Sequence, residues 1–414
     1  DHVVTSYVYN DGKVITAEGG WAMAPGFGFQ MSFHIVLEQA SRAGNAWRND
    51  RWDSFTLLTP NWSFKLPGAE YDGETPGGFM DKEEIVARFE QYVDRYHLPV
   101  DYKVKVTGVE KNDCDEGYLV KTDDSVLQAR NVVIATGLYQ KPKTSPFGNA
   151  LPTDILQLHS GSYRNLHSLP PGAVLVVGSA QSGCQIAEEL YLSGRKVFLS
   201  TGGAGRVPRR YRGRDVYEWM VLTGFLDQTP DKLTSPREKF SASPHVSGRD
   251  GGRTLNLHKF AQDGVVLLGH IQGADGNRLR FAPDLKENLA KADKVEAEIL
   301  KLIDKYIDQS GLDVPPERLP KLKDGYEVEE ITELDLRAAG ITTIIWAMGY
   351  DFDFSLVNLP VFDHDKYPVH QRGLTAFPGL FFVGLPWLYT LKSGQLSGVG
   401  EDAGYIASAI AYRN

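Results

Sequence analysis

The sequence predicts an α/β fold built on parallel sheets, and three observations carry that prediction. Apolar runs alternate with amphipathic stretches along the chain, as buried strands alternate with the helices that cover them. One run, Ala173–Val177, passes through Gly178-Ser179-Ala180-Gln181-Ser182-Gly183 into a helical stretch, Cys184–Leu190. Strand, glycine turn, helix is the dinucleotide-binding arrangement. Two strands with similar endings flank this unit, one closing in Ala135-Thr136-Gly137 and one in Ala347-Met348-Gly349. Together these predict two Rossmann-like domains, one inserted in the other. Residues 1–150 and 335–414 form the outer, discontinuous domain, and 151–334 the inserted one.

The elements follow in order. His34-Ile35-Val36-Leu37-Glu38 reads as a strand ending in an acid. Residues 82–96 place Ile85, Val86, Phe89, Tyr92 and Val93 at helical spacing. A strand-rich patch runs from Val104, Val106 and Val109 to Tyr118-Leu119-Val120. Asn131–Gly137 is a buried strand closing in a tight turn, and Lys196–Ser200 is the strand after the central unit. Residues 202–253, rich in Gly, Arg, Ser and Pro, read as irregular. Val265–Gly269 and Arg278–Phe281 read as a hairpin around Ala274–Asn277. Leu285–Ile307 lines Leu289, Ala292, Val295, Ile299 and Ile303 along one helical face. Internal packing is the first reading of that face and contact within a homodimer the second. Pro315-Pro316 and the charges of 321–330 read as a linker. Ile341–Trp346 and Gly379–Val383 are further buried strands, and Gly394–Tyr412 is a glycine-rich loop entering a helix.

Composition narrows the function. The formal net charge of -9 argues against nucleic acid or anionic membranes as general partners. No apolar run approaches the ~20 residues of a membrane span. No basic-then-apolar segment opens the sequence, so a cytoplasmic location is expected. Cys114 and Cys184 form neither a CxxC pair nor a zinc pattern. GxSxG, HExxH and a P-loop lysine are missing, so neither a metal nor a side-chain nucleophile is expected.

Gly44-Asn45-Ala46-Trp47-Arg48, Ala135-Thr136-Gly137, the central GSAQSG and Gly384-Leu385-Pro386-Trp387 stand in a telling order. Through them residues 31–414 resemble the flavin-containing monooxygenase family. The resemblance is nearest to a bacterial flavoprotein branch linked by name to potassium or metal-ion transport and related to plant indole-pyruvate monooxygenases. It implies FAD in the outer domain and NADPH in the inserted one. NADPH would reduce the flavin, and molecular oxygen would then form a C4a-(hydro)peroxide. That adduct would oxygenate a small organic substrate: an amine, a thioether or a carbonyl compound. Two alternatives stand beside this one. The first is an NADPH-dependent flavoprotein reductase or oxidase without oxygen transfer; the second is a non-catalytic nucleotide-binding regulator.

Some residues depart from the family pattern. In its FxGxxxHSxxY motif His159, Ser160 and Tyr163 match, but Thr153 and Ile155 replace Phe and Gly. Met348 replaces Thr in the second ATG, and Leu385 stands where many flavoproteins carry an Asp. Leu58 stands where the animal enzymes carry an active-site Asn, which favours the reductase or oxidase alternative. The family should also open on strand, GxGxxG and helix. The nearest glycines, Gly26 and Gly28, lie too close to Glu38 for a helix and a return, with Met31 at the third position. Residues 1–34 therefore read as a rearranged opening, the alternative being a divergent N-terminus with altered FAD binding.

The resemblance and the spacing together name the site residues. For FAD, Glu38 would clamp the ribose with Gln39 beside it, and Trp47 and Arg48 would lie along the flavin or its diphosphate. Val106 would meet the adenine through its backbone. Ala135, Thr136 and Gly137 supply small residues where the chain crosses between domains. Gly384, Leu385 and Gln395 would lie at the flavin, with backbone donors of 394–396 against its pyrimidine. For NADPH, Gly178, Ser179, Ala180, Gln181, Ser182 and Gly183 would cradle the diphosphate. Ser200 ends the next strand without the acid an NAD site prefers. Arg206 and Arg209, in a run that includes Arg210, Arg212 and Arg214, offer forks for a 2′-phosphate, which selects NADPH. His159 could orient nicotinamide or substrate, although a lone histidine is more often structural.

Overall fold

The computed structural model describes residues 3–7, 13–14, 31–32, 34–113, 117–241 and 244–413. Ten strands carry two five-stranded sheets. In chain order they are β1 (Val3–Tyr7), β2 (Ile35–Glu38), β3 (Val100–Tyr102), β4 (Asn131–Ile134) and β5 (Leu156–His159). There follow β6 (Ala173–Val177), β7 (Val197–Ser200), β8 (Val266–Leu268), β9 (Ile341–Trp346) and β10 (Leu380–Phe382). The helices used below are α1 (Asn45–Asn49), α2 (Lys82–Arg95), α3 (Gln181–Leu192), α4 (Leu285–Ser310) and α5 (Val399–Ala411).

The inserted sheet has the order β5-β9-β6-β7-β8 and is parallel throughout. Its centre explains the unbroken apolar run at Ala173–Val177, because both faces are covered. Val174 and Val176 pack with Cys184, Ile186, Ala187 and Leu190 of α3. Leu175 and Val177 pack on the opposite side with Phe198, Phe281 and Trp346. Each large aliphatic side chain buried in this way contributes about 1.5–3 kcal/mol.

The outer sheet has the order β10-β4-β1-β2-β3. β4 is parallel to β10 and β2 to β3, but the central β1 is antiparallel to both of its neighbours. Val3 lies opposite Glu38 and Thr5 opposite Val133. The central place is thus filled, but not by a strand that could feed a glycine loop and helix at the carboxyl end of the sheet. The glycine pair Gly26 and Gly28 lies outside the described residues.

Four sequence expectations need correction. Ile341–Trp346, assigned to the outer domain, is β9 and lies between β5 and β6, so the inserted layer extends past residue 334. A fully buried strand carries no mark of which neighbours it will pair with. Val266–Leu268 ends the parallel sheet; the hairpin is Ile271–Asp275 with Arg278–Phe281. Residues 202–253 are not wholly irregular. Val216–Leu222 is a helix whose Trp219 is fully buried against Ile299, Ile303 and Ile307 of α4. That contact covers the apolar face of α4 from within the chain. The 321–330 linker contains a short helix, Asp324–Glu327, where the Gly325 N–H donates to His258 Nδ1 at 3.0 Å. α4 itself stops where Gly311 takes the left-handed conformation, φ 67°.

Two crossings join the sheets. One follows β4 through Ala135–Gly137, and the other follows β9 through Ala347–Gly349. They lie side by side, with Lys141-Pro142 paired antiparallel to Tyr350-Asp351. Among the described residues no helix is long and apolar enough to cross a membrane.

Candidate functional site

Both candidate sites lie at carboxyl ends of parallel strands, where doubly wound sheets take their ligands. In the inserted sheet the chain leaves β6 at Gly178, φ 107°, where a Cβ would stand 2.4 Å from the Ala347 carbonyl oxygen. At Gly183 a Cβ would stand 1.8 Å from the Gly178 oxygen. Both positions must be glycine. Ala180, which replaces the family's middle glycine, caps α3 in an extended conformation without strain. The first chain bond at the helix start is Cys184 N–H to the Ala180 oxygen, 3.0 Å. Among the described residues the N–H groups of Ser179–Gly183 have no acceptor. The Gln181 amide is tied to both backbone groups of Val246, which fixes the first turn. Ser179 Oγ accepts from the Gly202 N–H at 3.0 Å and joins the loop to the end of β7.

Beyond β7 the expected phosphate ligands are not free. Ser200 is buried and its hydroxyl donates to the Gly269 oxygen at 2.9 Å. Arg206 is 5% exposed and divides its guanidinium between Asp293 at 2.5 Å and Glu296 at 2.7 Å on α4. Arg209 is 2% exposed and donates to the Leu58 oxygen at 2.7 Å and to Asp215. These arginines are internal struts, because a buried guanidinium must find carboxylates or carbonyls within the fold.

In the outer sheet the expected residues converge. Gln39, Val106 and Thr136 line one cavity of about 390 Å³ with Leu37, Lys105 and Gln140. It opens at the carboxyl ends of β2 and β4. Glu38 lies beside it, 3% exposed, with one carboxylate oxygen accepting from the Ala40 N–H at 2.8 Å. Burial raises its pKa above the usual glutamate value, only partly offset by that hydrogen bond. Thr136 Oγ1 accepts from Gln140 Nε2 at 2.7 Å, and Gly137 sits at φ 69° in the crossing. Arg48 is not open: it pairs with Glu90 at 2.8 Å. Trp47 packs against Phe55 and Phe89, the core role any tryptophan here could have.

Between the sheets the structure adds one group, Arg51, that the sequence did not single out. Arg51, 8% exposed, lies over Tyr139 at 4.6 Å, Trp47 at 5.3 Å and Phe55 at 5.6 Å, and donates to the Asp50 carbonyl. Its only sequence signal was its place three residues after Arg48. Tyr217 of the inserted layer packs on Trp62, ring centroids 5.7 Å apart, and its hydroxyl lies 2.7 Å from Ser397 Oγ and 3.2 Å from Gln395 Oε1. Gln395 itself cannot present its backbone donor, because that N–H is bound to the Lys392 oxygen at 2.8 Å. The free donors among the described residues there belong to Leu396 and Ser397, just before α5. Gly384 turns at φ 75°, Leu385 is buried in the outer core, and Trp387 holds an unusual φ of 61°. His159 is structural. It accepts from the Gly161 N–H at Nδ1 and lies 3.0 Å from the Gly349 oxygen at Nε2, and burial lowers its pKa. Four residues on, Tyr163 donates to Glu189 of α3 at 2.7 Å, and Ser54 of the outer layer donates to the same carboxylate.

A family model described as pyridine nucleotide-disulphide oxidoreductase matches residues 30–214. The chain is 30% identical to an uncharacterized CzcO-like oxidoreductase of Geobacillus kaustophilus, over 91% of this chain and 90% of that one. It is 25% identical, over 51% of each chain, to the probable indole-3-pyruvate monooxygenase YUCCA3 of Arabidopsis thaliana. Its fold is similar to that of the flavin-containing monooxygenase from Stenotrophomonas maltophilia, with TM-score 0.59, 17% identity and 91% of each chain covered. FAD and NADPH are the typical cofactors of such enzymes. With a relative of 30% identity spanning both sheets, the chain belongs to the CzcO-like oxidoreductases, and its fold is that of the flavin monooxygenases.

Proposed function

We propose that the chain is an FAD-dependent monooxygenase that consumes NADPH and oxygenates a small organic compound at nitrogen, sulfur or a carbonyl group. The observation that carries this reading is the coexistence of two separate strand-end sites. One is a row of open N–H groups at Ser179–Gly183. The other is a cavity lined by Gln39, Val106 and Thr136 beside a buried Glu38. The two sheets are read as two dinucleotide-binding domains, the outer for FAD and the inserted for NADPH.

The residues fit the groups assigned to them. The open N–H groups of Ser179–Gly183, in a turn kept tight by glycines at 178 and 183, suit a diphosphate, whose charge the start of α3 favours. A buried carboxylate with one oxygen already bonded suits a ribose diol. When bound, the flavin supplies electron transfer from NADPH and activation of molecular oxygen. The chain's own work is placement and exclusion of water. Leu396 and Ser397 offer N–H donors at the start of α5, and Trp62 and Tyr217 wall the seam between the layers. No side chain need act as a nucleophile. The enzyme is expected to work in the cytoplasm on a small-molecule substrate and oxygen.

Purified protein should be yellow, carry flavin, and bleach on anaerobic NADPH addition. With a panel of amines, thioethers and ketones, at least one compound should raise NADPH consumption and yield oxygenated product in step with it. A colourless protein that takes up neither nucleotide would refute the reading. Leu58, in the place of the animal enzymes' Asn, favours a second reading: a reductase or oxidase that passes electrons to oxygen without transferring an oxygen atom. That enzyme would give hydrogen peroxide equal to NADPH consumed, whatever compound is added.

A further inference from the structure

Arg206 and Arg209 are committed inside the fold, and Arg210, Arg212 and Arg214 are engaged by the Gly251 oxygen, Asp304 and Glu218, so another cation is needed to read the ribose phosphate of NADPH. The loop after β7 runs alongside α4 in matched steps. Thr201 Oγ1 meets Asn288 Nδ2 at 3.4 Å. A Cβ at Gly203 would lie 3.7 Å from Lys291 Cδ, and one at Gly205 would lie against Val295. Arg206 then reaches Asp293 and Glu296. Lys291 therefore stands opposite the open part of the loop. Among the described residues nothing lies within 4 Å of a Cβ built at Gly202, and Lys291 is the sole side chain that near a Cβ built at Gly203. The Lys291 side chain is half exposed, and among the described residues its ammonium pairs with Glu287 alone, itself 68% exposed, at 2.8 Å. An exposed pair of this kind is worth little and is exchanged easily for a better anion.

In a strand–glycine loop–helix unit, a dinucleotide with its diphosphate at the helix start places its adenosine ribose at the end of the neighbouring strand. Here that end is Ser200–Gly203. It carries no acid to engage a free 2′-hydroxyl, and the Gly202-Gly203 notch leaves room for a larger group. We propose that Gly202, Gly203 and Lys291 form a phosphate-monoester subsite, and that Lys291 is the residue that selects NADPH over NADH. This rests on the reading that the Ser179–Gly183 cradle holds NADPH. A phosphate monoester carries about -1.5 to -2 charge near neutral pH, so a single ammonium gives it a clear preference over a hydroxyl.

The test is calorimetric titration of the flavin-loaded protein with 2′,5′-ADP and with 5′-AMP. Wild type should bind 2′,5′-ADP about tenfold or more tighter than 5′-AMP. Lys291→Ala should lose most of that ratio by weakening 2′,5′-ADP alone, and Lys291→Arg should restore it. Lys294→Ala, an exposed lysine on the same helix, should leave the ratio unchanged. Both sites are exposed, so melting temperatures of the three variants should match wild type. A wild-type ratio retained in Lys291→Ala overturns the assignment while leaving the NADPH reading intact. Equal wild-type affinity for the two ligands overturns the NADPH reading and the assignment with it.

Discussion

The two sheets have five strands each but arrive at their ligand edges differently. In the inserted sheet the central β6 runs with its neighbours, and its carboxyl end turns directly into the glycine cradle and α3. In the outer sheet the central β1 runs against its neighbours, so the same edge is met by the beginning of a strand. On the proposed reading, the inserted sheet concentrates its recognition in six consecutive residues. The outer sheet would spread its recognition over Gln39, Val106 and Thr136, which line one cavity from three separate segments. A site made of one local unit tolerates little change within that unit, whereas a dispersed one should fail by degrees.

Four measurements would break or sharpen that contrast. The largest effect is expected from Gly183→Ala, where the added methyl would overlap the Gly178 oxygen. Stability should fall by about 3 kcal/mol, and NADPH binding should vanish while flavin content survives. Joint loss of both nucleotides would show that the sheets are not independent. Next comes acid sensitivity in the inserted layer. His245 is wholly buried, and burial, with Arg206 beside it, pushes its pKa down to about 3. The stability it contributes as a neutral ring is present above pH ~6.5 and is lost as pH falls from there towards about 3. Wild type should therefore lose a few kcal/mol more than His245→Leu between pH 7 and 4, read from urea melts. Parallel loss in the two proteins would remove His245 as the cause.

In the outer sheet Glu38→Gln should weaken FAD retention by about tenfold, without abolishing it. Its raised pKa adds a second sign. The protonated form is the one the fold prefers, so its stability contribution is lost as pH rises through the folded pKa. The flavin-free Gln variant should melt slightly higher than flavin-free wild type at pH 7, and a lower melting point would contradict this. The smallest effect is expected from Tyr163→Phe, which removes one buried hydrogen bond to Glu189 and should cost about 1 kcal/mol with no change in nucleotide content.

The cradle was legible in the sequence because everything that defines it is local: an apolar run, two obligatory glycines and a helix. The cavity residues were legible only through their order along the chain, since nothing in Val106 or Gln39 alone marks a ligand. Arg206 misled because its partners, Asp293 and Glu296, lie almost ninety residues away on a helix whose charged face looked merely solvated, and Arg209 because it reaches back to the Leu58 oxygen and sideways to Asp215. β9 misled for a related reason. Its neighbours β5 and β6 precede it by more than 160 residues, and a run such as Ile341–Trp346 fits any buried sheet. The reversed β1 was invisible because strand direction leaves no trace in composition.

Glu189 has a consequence for how such a molecule could be engineered. It ties Ser54, 135 positions earlier in the chain, to the helix whose opening turn carries the cradle. A change at residue 54 alters the footing of that helix without touching any nucleotide. Libraries aimed at altered coenzyme preference should therefore recover hits in the loop at 52–54 as well as beside the phosphate, and the two sets should combine non-additively.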